Sequence, residues 1–474
     1  MDKIVVNRIK ELFHYMNTCT VDKNELKVKS LNDMTVGSPF KILWNFSIPM
    51  LISVMFQQLY SIIDSIIAGK YIGVDALAAV GASYPITVLF IAVATGASIG
   101  CSVVVSQIFG AKKYTKMKSA ISTAIISIIV LSIILTIIGF IICNPIMSLM
   151  NTPKNILSNS ELFLRIYILG VSFLFTYNTA NAIFNALGDS KTPLYFLMFS
   201  SLFNIVLDIV FVVVLHMGIA GVAWPTFIAQ GISSILAMGC LIYRIRKIEV
   251  IGKYKRFDIE LLKHMSTIAI PSIMQQSFIS VGQLCVQGLI NSYGDIVVAG
   301  YSAAFRINTF IITSITTMSS ALSTFTAQNM GAKKLKRVRK GYKSLLVMML
   351  ILYSIVSLII LIFGKNLISL FVDVSKGKMV INVGLAFLCT VTPFYVVVVI
   401  KTITDGVLRG AGDMKEFMTT TFMDLFLRVI FSFVLAKILG YAGIWWAFPV
   451  GWTIGCIFSV YYYFKGKWKS SFLL

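Results

Sequence analysis

The chain has 474 residues, 57% of them hydrophobic and 13% charged, and its 41 Lys and Arg outweigh 19 Asp and Glu to give a formal charge of +22. Apolar runs longer than any soluble helix needs exclude a water-soluble domain and make this an integral membrane protein. The position of the charge excludes a nucleic-acid ligand: most of the basic residues lie in the N-terminal segment, the C-terminal tail and every second connection between apolar runs, which is the distribution of cytoplasmic loops beside anionic lipid.

Residues 1–40 are polar and mixed and lack the apolar stretch of about 7–15 residues that a cleavable signal needs. They read as a cytoplasmic N-terminal segment, helical over Val5–Met16. Beyond them, crossing ~30 Å of hydrocarbon at 1.5 Å per residue takes ~20 apolar residues. Twelve such segments begin near Phe40, Ala76, Ser119, Leu162, Pro193, Gly218, Thr267, Ile296, Ser344, Val380, Met418 and Tyr441. None alternates polar and apolar as barrel strands do, so the expected fold is an all-α integral membrane protein with twelve transmembrane helices. The even count and the charge bias put both termini in the cytoplasm of a multi-pass cell-membrane protein.

The chain also repeats itself. Ser106-Gln-Ile-Phe-Gly-Ala-Lys-Lys113 returns as Ala327-Gln-Asn-Met-Gly-Ala-Lys-Lys334, and Pro49 pairs with Pro271, Gly188-Asp189 with Gly412-Asp413, and Gly218 and Gly221 with Gly440 and Gly443. Two pseudo-symmetric six-helix lobes follow: an N-lobe over 41–245 and a C-lobe over 264–474, joined by a basic cytoplasmic linker at 246–263. Two like halves around a cleft are the plan of many secondary transporters.

The seven cysteines have no CxxC spacing and read as packing residues. The three histidines form no cluster, so neither a metal site nor a cofactor is expected. With no HExxH or GxSxG either, an enzyme is not expected.

Ionisable groups within the hydrocarbon are expensive and mark function. Away from the loops they are Asp64, Asp208, Arg165, Arg306, Lys401, Asp424 and Arg428. Counting along the helices puts Asp64 and Asp208 in the outer half of the N-lobe, where they can meet. Tyr60 shares a helix face with Asp64, Asn204 with Asp208, and Asn178 with Asn181. Such oxygens suit a proton exchanged on a buried carboxyl or a hard monovalent cation, not zinc-like chemistry. A shift by the repeat length carries Asp64 to Val286 and Asp208 to Ile430, so the scaffold is duplicated and this acid pair is not. Asp424 and Arg428, four apart, are expected to neutralise each other.

Taken with the two GAKK turns, the stretches Pro49–Gly73 (PMLISVMFQQLYSIIDSIIAGKYIG), Asn181–Asp189 (NAIFNALGD), Asn204–Asp208 (NIVLD) and Leu408–Asp413 (LRGAGD) make the chain resemble the multidrug and toxic compound extrusion (MATE) transporters from about residue 40 to the end. The resemblance implies two six-helix lobes, first and seventh helices bent near Pro49 and Pro271, and cation-coupled export of small organic molecules. It also implies a first-lobe cation site of Asp64, Asn178, Asn181, Asn204 and Asp208, with Tyr60 and Thr226. The NorM-like branch carries an acid in the seventh helix, but Met274–Gln283 holds only Gln275, Gln276 and Gln283, which puts a second-lobe ion site in doubt.

The expected mechanism is proton- or sodium-coupled antiport by a monomer, with small cationic or amphipathic cargo meeting Gln57, Gln275, Gln276, Arg306 and the rings of Tyr84, Phe163 and Tyr301. The rival reading is a lipid-linked saccharide flippase, which needs a cleft lined with cations for pyrophosphate.

Overall fold

The computed structural model describes residues 32–67, 71–150, 152–250, 252–371 and 378–470. The helix expected over Val5–Met16 lies outside them. Among the described residues the chain is helical throughout, with no strand.

Twelve helical segments cross in sequence. The N-lobe holds α1 (Pro39–Ile67), α2 (Val74–Gly110), α3 (Tyr114–Leu149), α4 (Lys154–Leu169 and Val171–Ala186), α5 (Lys191–Asp208, continued by Ile209–Val214) and α6 (Ala220–Lys247). The C-lobe holds α7 (Ile259–Asn291), α8 (Asp295–Gly331), α9 (Leu335–Ser369), α10 (Lys378–Val391 and Tyr395–Ala411), α11 (Met414–Leu439) and α12 (Tyr441–Lys465). By length and hydropathy nine of these pass as membrane spans among the described residues, and ten with α4 taken whole. The remaining two, α7 and α11, are long enough but carry glutamines and charges that make them less apolar. Helices α6 and α7 run further than the sequence suggests, leaving only 248–258 between them as linker.

At Pro49 and Pro271, where bends are expected, α1 and α7 each continue as unbroken helices. The interruptions fall instead in α4, which turns by 45° at Gly170, and in α10, which passes through one 3₁₀ turn at Thr392–Phe394. Aligning Asp189 with Asp413 places these two breaks at the same point of the repeat.

The backbone copies itself as well. Lys112 and Lys333, the first lysine of each GAKK turn, both sit at φ 57°, an unusual left-handed conformation for a side-chain-bearing residue. Each is closed by the same pair of bonds: Lys113 N to Ile108 O at 3.2 Å and Ala111 N to Gln107 O at 3.0 Å in one copy, Lys334 N to Asn329 O at 2.8 Å and Ala332 N to Gln328 O at 3.0 Å in the other. These bonds satisfy the last carbonyls of α2 and α8 and stop both helices.

At this basic end the lobes interlock reciprocally. Gln107 of α2 donates to the Gly410 and Ala411 carbonyls at the end of α10, both at 3.3 Å, and Gln328 of α8 donates to the Ala186 carbonyl at the end of α4 at 2.8 Å. Further along, α2 packs on α7 while its counterpart α8 packs on α1. The segments ahead of α1 and α7 cross over too. Met34 and Thr35 are buried (2% and 3% exposed), held by Gln328, Lys334 and Arg337 of the C-lobe. Lys255 and Asp258 are bonded to Ser119 and Thr123 of α3.

Candidate functional site

The first-lobe acids converge because α1 packs on α5. Asp208 is fully buried at the last α-helical turn of α5, where the chain widens into a π-helical turn over Ile209–Val214. Such turns disturb the regular carbonyl ladder and recur at functional positions. Asp64 sits half-buried near the end of α1, with its carboxyl close enough to that of Asp208 for one proton to bridge them. Tyr60, one turn earlier, donates its hydroxyl to Asp64 Oδ2 at 3.2 Å, and the same hydroxyl reaches the Thr226 side chain of α6. Three helices therefore bring Tyr60, Asp64, Asp208 and Thr226 to one spot.

The asparagines are placed differently. Asn204 lies one turn before Asp208, 3% exposed, with its Oδ1 buried and unpartnered. Asn181 Oδ1 is likewise orphaned, while Asn178 turns its amide onto its own helix, donating to Leu174 O at 2.8 Å. No hydrogen bond among the described residues joins the two α4 asparagines to the carboxyl pair.

Asp64 Oδ1, Asn181 Oδ1, Asn204 Oδ1 and both oxygens of Asp208 are buried acceptors with no donor. Two ionised carboxylates cannot satisfy one another, because both only accept. An orphaned buried acceptor costs on the order of 1–3 kcal/mol, and more when charged, so this cluster is stable only with a proton or a cation on it.

The expected cleft residues are less unified. Gln57 and Arg306 are exposed, whereas Gln275 and Gln276 are half-buried and Gln275 donates to Thr421 of α11 at 3.4 Å. Of the rings, Tyr84 is 64% exposed, but Tyr301 is 4% exposed and stacked on Trp445 at 5.3 Å, so it belongs to the core. Phe163 packs against Ile67, Val212 and Ile219.

The C-lobe holds more buried charge than the helix count suggests. Asp424 and Arg428 do pair, at 2.6 Å, but they share a network with Lys401 and with Asp405, which is not among the charges expected within the membrane. Its signal was present: Lys401 and Asp405 are four apart on one face.

Comparison with known proteins accords with this architecture. The MatE family model matches residues 49–210 and 271–434, one copy in each lobe. The chain is 28% identical over 439 residues to "Probable multidrug resistance protein YpnP" of Bacillus subtilis (strain 168), covering 92% of this chain and 98% of that one. It is 22% identical to "Multidrug export protein MepA" of Staphylococcus haemolyticus (strain JCSC1435), over 89% and 92% of the two chains. Among solved structures, a MATE in complex with MaL6 superposes with a TM-score of 0.85 at 22% identity, covering 91% of this chain and 96% of that one. An outward-facing multidrug resistance MATE transporter gives 0.85 at 22% identity, over 92% and 97%. With a family model matched in both halves and a twelve-helix fold shared over 91% of its length, the chain belongs to the MatE family and is a membrane transporter rather than an enzyme.

Proposed function

We propose that the protein is a cation-coupled antiporter, driven by protons or sodium, that exports small organic molecules of cationic or amphipathic character by alternating access. One observation carries this reading: the orphaned oxygens of Asp64, Asn181, Asn204 and Asp208 in the N-lobe, with no Lys or Arg bonded to them among the described residues. A carboxyl pair that stays buried without a basic partner needs a proton or a hard cation, and exchanging that ion supplies energy for transport. Coupling requires that the ion bind the two conformations unequally, since equal affinity shifts no population. The reciprocal seal at the basic end, on the cytoplasmic side by the charge bias, is the closure that must open for cargo to enter. The names of the relatives support export of drugs.

The flippase reading is weakened by the fate of its cations: Lys401 is held by Asp405 and Asp424, and Arg428 by Asp424. The deciding experiment is dye transport by the purified protein in liposomes under a pH gradient alone, a sodium gradient alone, and both. Accumulation under one gradient supports antiport, whereas equal rates with and without either gradient contradict it.

A further inference from the structure

The C-lobe contains a second pair of buried carboxylates, and it is already filled. Asp405 on α10 and Asp424 on α11 are each 5% exposed, and Lys401, one turn before Asp405, is 7% exposed. Lys401 Nζ lies 2.8 Å from Asp405 Oδ2 and 3.6 Å from Asp424 Oδ2. Asp405 Oδ1 accepts from Ser459 of α12 at 2.6 Å and from Thr420 at 3.2 Å, and Asp424 Oδ1 accepts from Arg428 at 2.6 Å. Three of the four carboxylate oxygens accept hydrogen bonds, and the fourth, Asp424 Oδ2, faces the Lys401 ammonium. Gly455 of α12 makes room for the lysine, since a Cβ there would fall 2.6 Å from Lys401 Cε and 2.9 Å from Asp424 Cβ.

This network occupies the repeat positions of the first-lobe asparagines, though not those of Asp64 and Asp208. With Asp189 aligned to Asp413, Asn181 of α4 corresponds to Asp405 of α10, and Asn204 of α5 to Arg428 of α11. The same turns of the same two helices thus carry orphaned oxygens in one lobe and a closed set of two acids and two cations in the other.

We infer that Lys401 is a tethered cation: its ammonium takes, between Asp405 and Asp424, the place that a free monovalent cation takes in the N-lobe. It thereby removes the C-lobe from ion exchange, so that one lobe alone responds to the coupling ion. An ammonium with three donors suits two carboxylates side by side, and two acids against two cations leave the buried set neutral, as burial demands. The ligand class that the opened site takes is a small monovalent cation, either ammonium, methylammonium or sodium. The inference rests on the first-lobe reading only for that comparison.

The test uses full-length protein in detergent carrying Asp208→Asn, which silences the N-lobe, and reads the thermal unfolding midpoint rather than transport. In that background, ammonium, methylammonium and sodium chloride leave the midpoint where choline chloride leaves it. Adding Lys401→Ala lowers the midpoint, and at least one of the three small cations restores half or more of the loss saturably, while choline does not. Adding Asp405→Asn as well leaves Asp424 balanced by Arg428 and abolishes the response. No cation response in Lys401→Ala overturns the inference, as does an equal response with Asp405→Asn present. Failure of Lys401→Ala to fold in all of these salts overturns it too, because packing rather than charge would then be the lysine's contribution. Since no step involves transport, the result stands apart from whether Asp64 and Asp208 drive efflux.

Discussion

Gly110 and Gly331, the glycines of the two GAKK turns, each press against the other lobe's turn: a Cβ on Gly110 would overlap the Gln328 carbonyl, and a Cβ on Gly331 would overlap the Gln107 carbonyl. Two helices can cross this closely only where both lack a side chain. The crossing fixes the seal that closes the basic end.

Gly110→Ala or Gly331→Ala therefore forces the crossing apart and costs about 1–3 kcal/mol, the usual range for overpacking. Paired spin labels on the α2–α3 and α8–α9 turns are expected to show a longer mean distance in either variant. Gly81→Ala, where nothing lies within 4 Å, serves as the control and leaves the distance unchanged.

The segment ahead of α1 depends on Arg337, which donates to Met34 O at 3.3 and 3.1 Å and to Gly37 O at 2.6 Å. Arg337→Ala removes all three bonds and weakens the segment by about 0.5–2 kcal/mol, discounted because part of the guanidinium is exposed. Amide hydrogen exchange is the measurement. The peptide covering Met34–Gly37 is expected to exchange several-fold faster, with α3 unaffected.

Asp424 holds two cations at once, so Asp424→Asn leaves Arg428 and Lys401 sharing Asp405 alone. Breaking a buried pair from one side costs about 3–5 kcal/mol. Thermal unfolding of the purified protein is expected to show a much larger loss than for Glu161→Gln, whose partner Arg165 is 46% exposed. Equal losses would mean that the network is solvated after all.

Much of this was readable from the residues, and the parts that were not share a cause. Asp64 and Asp208 stood out because a lone acid in an apolar run has no cheap explanation, and the duplicated turns marked the lobe plan. Asp405 did not stand out: it lies five residues before Gly410, where a helix end is ordinarily solvated, and here Thr420 of α11 and Ser459 of α12 close over it. The break at Gly170 carries a weaker local signal than the prolines of α1 and α7, which lie within continuous helices, whereas the break at Thr392–Phe394 has a proline of its own, Pro393. The π-helical turn after Asp208 has no sequence signature either, since Ile209–Val214 reads as an ordinary apolar run. Counting along single helices cannot reveal how six of them are registered against one another. The resemblance, not the count, groups Asn178 with the acids, and in the folded chain its amide nitrogen donates to Leu174 O.

The account's central claim is that the ion acts on the facing carboxyls of Asp64 and Asp208. The most direct measurement is gradient-driven efflux of a fluorescent cation from liposomes containing Asp64→Asn or Asp208→Asn, each reconstituted to the wild-type amount. Efflux at the rate of protein-free liposomes in both, with folding intact, is the predicted result. Wild-type rates in both variants would contradict it.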